Sequence, residues 1–297
     1  MTRLVPDWPR PHHRPSPSNA SLFYLVFGEP PAHLNVKRAV HHVGKLPPEL
    51  RVSVHARGDD AAWFDGWFSP PVGLEIPHVF GGGADAVYAA RRVAAVRAAF
   101  EDPSSLGYLR DTVGVVSAIA EGGAVAIFDV PALTWWRPEE WRRRFVDRSE
   151  FRIGDHIFTA VSRETGGEAF DEAGGGGAGA GTGTLSLHTR GMGKFGRPEL
   201  MVRHLPGDGG AEGPAARAAA EVMDGLSNYL ARGGVITDGE TMHLARYDAS
   251  IVFFDATPPR AEQTVFEICD VSGRTGLSGD GIPSLLKKIS ERQNEGK

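Results

Sequence analysis

Between residues 165 and 183, nine of nineteen residues are glycine, and no apolar face of helical or strand period can be drawn through them. Glycine loses more conformational freedom on ordering than any other residue, so such a run reads as a flexible linker or loop. It divides the foldable sequence into an N-terminal half at 21–164 and a C-terminal half at 184–297. Ahead of both, residues 1–20 carry Pro6, Pro9, Pro11, Pro15 and Pro17, which read as a proline-rich flexible arm of extended, polyproline-like backbone.

The 297 residues fit two domains or one large one at roughly 150 residues per domain. Hydrophobic residues at 41% and charged residues at 23% are ordinary for a folded chain. A net charge of -5 argues against a dedicated nucleic-acid binder. The single cysteine, Cys269, excludes an internal disulfide or a multi-cysteine zinc site and suits a reducing compartment, so the expectation is a cytoplasmic protein. The start lacks the apolar core of a signal peptide. No apolar stretch approaches the roughly 18 residues of a membrane span.

In the first half, the run Leu22-Phe23-Tyr24-Leu25-Val26-Phe27 reads as a buried strand ended by Gly28. The 3-4-3 spacing of His33, Val36, Val40 and Val43 predicts a helix, on which His41 and His42 point too far apart to grip one metal. Strands are expected at 51–55 and 72–80, then an alanine-rich helix from Ala86 to Phe100 after the triplet Gly81, Gly82 and Gly83. Asp102 and Pro103 read as the cap and first turn of a helix carrying Leu106, Leu109, Val113 and Val116. A central strand at 124–130, a short helix from Pro138 and a strand at 157–161 follow. The second half offers strands around Leu185 and Leu187, at 199–205, 251–254 and 265–268. Its helices carry Ala219, Val222, Leu226 and Tyr229, and span 283–292. Helices and strands mix without strict βαβ alternation, so the expected class is α+β, two sheet-and-helix halves that can pack as one unit.

Residues 191–196, Gly-Met-Gly-Lys-Phe-Gly, match GxGxxG after a strand. Dinucleotide binding also requires a helix to open there, yet Pro198 and a strand-like run follow. A kinase loop fits strand-loop-strand, but the HRD and DFG motifs are absent. The simplest reading is a tight connection between paired strands, with Arg190, Lys194 and Arg197 keeping an exposed loop soluble. The sharper reading is an anion site made by Arg190, Lys194, Arg197 and Glu199 around flexible backbone donors.

Other constellations stop short of chemistry. Ser278 lies in an incomplete GxSxG imitation, Cys269 sits in an apolar strand pattern, and no HExxH or Walker A spacing occurs. Trp135 and Trp136 beside Arg142, Arg143 and Arg144 could suggest base stacking, but Glu139, Glu140, Asp147 and Glu150 nearly balance that charge.

The stretch Thr189-Arg190-Gly191-Met192-Gly193-Lys194-Phe195-Gly196-Arg197-Pro198-Glu199-Leu200, with Gly234-Val235-Ile236-Thr237-Asp238-Gly239-Glu240-Thr241, resembles a bacterial domain-of-unknown-function family. That family carries a TxGxxxxGxPEL element, then a helix and a GxVIxDGxT element. The resemblance covers 187–255, with a weaker echo at 109–136. It implies an α+β domain of bacterial cytoplasmic proteins with no established activity and supplies no catalytic residues.

The resulting expectation is a non-enzymatic binding or interaction protein with an unidentified protein partner, no cofactor and no membrane association. The alternative is an enzyme or sensor acting on an anionic small molecule at the 191–196 loop.

Overall fold

The computed structural model describes residues 7–31, 33–148, 150–163, 183–207 and 209–271. The glycine linker (but for Gly183), Ser278 and the terminal helix at 283–292 lie outside the described residues. Within them the fold is α+β, built on two sheets.

The first sheet contains β1 (Asn19–Gly28), β2 (Arg51–Ala56), β3 (Arg92–Glu101), β4 (Ala124–Asp129) and β5 (Thr134–Trp136). Their order is β2-β3-β1-β4-β5 and every pairing is antiparallel. β1 is continuously apolar because both its faces are covered. Leu22, Tyr24 and Val26 enter the main core, while Leu25 and Phe27 enter a second cluster.

The helices of this half are α1 (Arg38–His41), α2 (Ala61–Gly66), α3 (Ile76–Phe80), α4 (Ala84–Tyr88), α5 (Gly107–Ala120) and α6 (Pro138–Trp141). Phe64 of α2, Ile76 and Phe80 of α3, and Val87 of α4 fill the second cluster. On the other face, α5 buries Leu109, Val113 and Val116 with Trp141 of α6 and Phe145 beyond it.

Four local expectations are corrected. The predicted strand at 72–80 is a 3-10 turn running into α3, where Ile76 and Phe80, one helical turn apart, reach the same cluster. The alanine-rich helix stops at Tyr88, and its remainder is β3. There Val93, Ala94, Ala95 and Val96 are all buried between β2 and β1, so strand pairing overrides alanine's helix preference. The helix predicted through 33–43 is the single turn α1. Asp102 does not cap α5, which begins at Gly107; its carboxylate is used elsewhere, as shown below.

α1 passes so close to α5 that a Cβ built on Gly114 would stand 2.2 Å from the His41 carbonyl oxygen and 2.8 Å from Val43 Cγ2. Gly114→Ala is therefore expected to destabilise by about 1–3 kcal/mol through overpacking, a loss that thermal denaturation would register.

The second sheet contains β6 (Phe158–Arg163), β7 (Leu185–Arg190), β8 (Glu199–Leu205), β9 (Thr241–Leu244), β10 (Ala249–Asp255) and β11 (Val265–Asp270), in the order β6-β7-β8-β11-β10-β9. β8 and β11 are parallel; the other pairings are antiparallel. β9 was not anticipated from the sequence. Helix α7 (Pro214–Ala231) buries Ala219, Val222, Met223 and Leu226 together with Leu187 and Val202 of this sheet and Tyr24 and Val96 of the first. One apolar core thus joins the two sheets. No helix among the described residues is long and apolar enough to cross a membrane.

The arm is also corrected for residues 7–20. Trp8 and Arg10 are buried, Pro9 bridges Ser105, and Leu106 N–H donates to the Trp8 carbonyl. His12 and Arg14 N–H groups donate to Arg232 and Gly233 at the end of α7. Prolines remove some donors, but those that remain pin this segment to both halves.

Candidate functional site

The 191–196 loop connects β7 to β8 through a 3-10 turn, Met192–Phe195, and no helix opens at Gly196. Gly191 and Gly196 hold φ of +109° and +61°. A side chain on either would also collide with backbone, the His156 oxygen at 2.6 Å or the Ser18 oxygen at 2.7 Å. These glycines serve close packing against neighbouring segments.

Lys194 and Arg197 point inward, which corrects the expectation that they keep an exposed loop soluble; of the three cations Arg190 stays exposed. Lys194 is fully buried, and its Nζ donates to Asp129 at the end of β4. Tyr108 Oη of α5 donates to the Lys194 carbonyl oxygen at 2.7 Å. Burial raises the Asp129 pKa and lowers that of Lys194, while their mutual attraction opposes both shifts. Beside them, burial and the Lys194 charge hold the His156 imidazole far below its usual pKa.

Arg197, 1% exposed, donates to Asp102 at 2.8 Å and to the carbonyl oxygens of Gly234, Gly196 and Arg14 at 2.7, 2.8 and 3.0 Å. Arg10 from the arm reaches the same Asp102 oxygen at 2.8 Å and the Pro103 and Phe195 carbonyls. One carboxylate therefore clamps the arm, the first sheet's exit from β3 and the loop of the second sheet. Burial alone would raise the Asp102 pKa, but hydrogen bonds from Arg197 and Arg10 outweigh it and hold the carboxyl below its ordinary value.

Glu199 completes the lattice. It accepts from Thr189 Oγ1 at 2.7 Å and from the Gly191 and Met192 N–H groups at 2.9 Å each. Its burial outweighs these bonds and pushes the pKa up to about 7. Because the folded pKa lies above the ordinary 4.5, Glu199 contributes stability that is present below about pH 4.5 and is lost as pH rises through 7. Relative to Glu199→Gln, the wild type is expected to lose about 3 kcal/mol between pH 4.5 and 8, measured by denaturant unfolding across that range. A pH-independent difference would refute the assignment.

Of the four candidate anion-binding residues, the structure brings Lys194, Arg197 and Glu199 together but engages them with the chain's own groups. Arg190 alone faces solvent, donating from Nε to His188 Nε2 at 3.1 Å. Arg10, Asp102 and Asp129 were missed as functional partners of the loop. The only signal for Asp129 was a carboxylate ending an apolar strand.

The lattice also accounts for the motif positions. Thr189 orients Glu199 and accepts from Leu200 N–H, Gly191 and Gly196 admit neighbouring backbone, and Gly234 receives Arg197. Asp238 and Gly239 turn the chain into β9 and tie it to the end of β10, with Asp238 accepting from Asp255 N–H and Gly239 N–H donating to the Phe253 carbonyl.

Elsewhere, Arg142 pairs with Glu121, Arg143 with Glu140, and Arg144 with Glu140 and Asp155. Burial raises the partly buried Cys269 thiol to a pKa of about 11, so it is not a thiolate at neutral pH. Among the described residues no three or more His, Cys, Asp or Glu side chains are grouped to hold a metal ion.

Exposed apolar side chains include Leu74, Leu133 and Phe158, and a further pair lies on β2, which ends the first sheet and, among the described residues, pairs only with β3. Val52 and Val54 are 42% and 47% exposed. They share a face, since they stand opposite Val96 and Ala94. The chain leading into β2 exposes Leu34, Val40 and Leu46 as well. No family model, no curated protein and no solved structure matches the chain.

Proposed function

We propose that this chain is a non-enzymatic interaction protein in which the 191–196 loop locks the two sheets together and β2 presents the binding surface. The observation that carries the reading is the pair of exposed valines on one face of an edge strand whose charged residue, Arg51, stands at its first position and whose stretch 52–56 has no Pro, Lys, Arg or acidic side chain. Soluble proteins ordinarily blunt long edges with such residues because unpaired strand N–H and C=O groups template association. The single cysteine and the resemblance to a bacterial family support a cytoplasmic, bacterial setting.

The reading of the loop as a site for an anionic small molecule loses its main support, since Lys194 and Arg197 already face Asp129 and Asp102. The test compares proteins captured from source-cell extract by the wild type and by Val52→Lys/Val54→Lys. A specific partner retained by the first and lost by the second is the expected result. Identical capture by both overturns the reading.

A further inference from the structure

We infer that the outer face of the second sheet is a docking surface for the chain's own C-terminal segment, residues 282–292. This surface is separate from β2. Helix α7 and the first sheet lie on the sheet's other side, where Leu187, Val202 and Phe253 join the main core. Alternate residues of the same strands face outward. His188 of β7 stands opposite Met201 of β8, Met201 opposite Glu267 of β11, and Glu267 and Cys269 opposite Phe254 and Val252 of β10. A side chain on an open sheet face stands roughly perpendicular to the sheet, with its tip in water. Met201 and Val252 are nevertheless 5% and 1% exposed, and neither belongs to either apolar cluster. A further layer therefore covers them, and it lies outside the described residues.

Three stretches of the chain lie there, 1–6, 164–182 and 272–297, and their sequences choose between them. The first is too short to cover several strands. The second is the glycine-rich run, whose single large apolar residue is Phe170. The third carries Ile282, Leu285, Leu286 and Ile289 at the i, i+3, i+4, i+7 spacing of one helical face, with Lys287, Lys288 and Glu291 away from it. It also starts in the right place. β11 ends at Asp270, and residues 271–281, with Gly273, Gly276, Gly279 and Gly281 among them, connect that end to Ile282. Such a connection extends to about 35 Å, against about 24 Å for the width of a six-stranded sheet. Burying the stripe on the outer face gives the second sheet an apolar layer on each side, and sets the sole cysteine, Cys269, beneath the segment.

Cys269 then serves as a native reporter in the full chain. A thiol reagent at about pH 8.5 is expected to label Leu285→Lys/Ile289→Lys roughly tenfold or more faster than the wild type, because the segment no longer shields the thiol. Lys287→Ser/Lys288→Ser, which leaves the apolar stripe intact, should label at the wild-type rate. Equal labelling of the wild type and a cooperatively melting Leu285→Lys/Ile289→Lys overturns the docking. Should that variant fail to fold, hydrogen exchange on the wild type decides the matter. Amides at 285–292 are expected to be protected to an extent comparable with β11, and free exchange there overturns the proposal. Protection at 164–182 in its place would assign the face to the glycine-rich run, and a dimer by light scattering with free exchange at 285–292 would assign it to a second copy; either result overturns the C-terminal segment as occupant.

Discussion

Lys194→Met is expected to lower stability by about 3–5 kcal/mol, because it strands the Asp129 carboxylate in the core without its counter-charge. That is a large share of the roughly 5–15 kcal/mol that holds an ordinary domain folded. Asp129→Leu alone should be costly for the reciprocal reason. The double variant Lys194→Met/Asp129→Leu is expected to recover much of the loss, since a buried ion pair replaced by apolar groups is often nearly neutral, whereas a broken pair is not. Chemical denaturation of the wild type, the single variants and the double variant forms a complete cycle. Additive losses would show that the two side chains do not act as a pair.

Asp102→Ala is expected to cost a comparable amount, about 3–5 kcal/mol, and to do so through a different part of the molecule. Its carboxylate takes hydrogen bonds from Arg10, Arg197 and the Ser16 N–H at 2.8 Å each, so its removal leaves two buried guanidinium groups without their shared anion. The arm should then detach before the sheets do, because its backbone bonds to Arg232 and Gly233 are few. Hydrogen exchange would report this as lost protection at the His12 and Arg14 amides, with β1 and β3 still protected. Unchanged exchange in the arm would mean that its apolar anchor Trp8 suffices without the clamp.

Most strands with strong apolar runs were legible in the sequence. The 22–27 and 124–130 runs became β1 and β4, both paired on two sides, and the helix bearing Leu109, Val113 and Val116 became α5. Legibility failed where local preference and tertiary demand disagreed. Ala94 and Ala95 favour helix in isolation, but their small side chains let β3 lie buried between β1 and β2. The spacing of Ile76 and Phe80 fits either a short strand or a helix, and only the second cluster decides between them.

The glycine loop shows the same division at the level of chemistry. Its sequence pointed to a strand-to-strand connection, because the strand-like run Glu199-Leu200-Met201-Val202-Arg203 follows where a dinucleotide turn needs a helix. It could not determine the direction of its charges. Lys194 and Arg197 resemble solvated loop residues until Asp129, 65 positions away, and Asp102, 95 positions away, are folded against them. Periodicity and turn chemistry act over a few residues and are written in the chain. The partner of a buried charge is set by which distant segments share one core, and that only the tertiary structure decided.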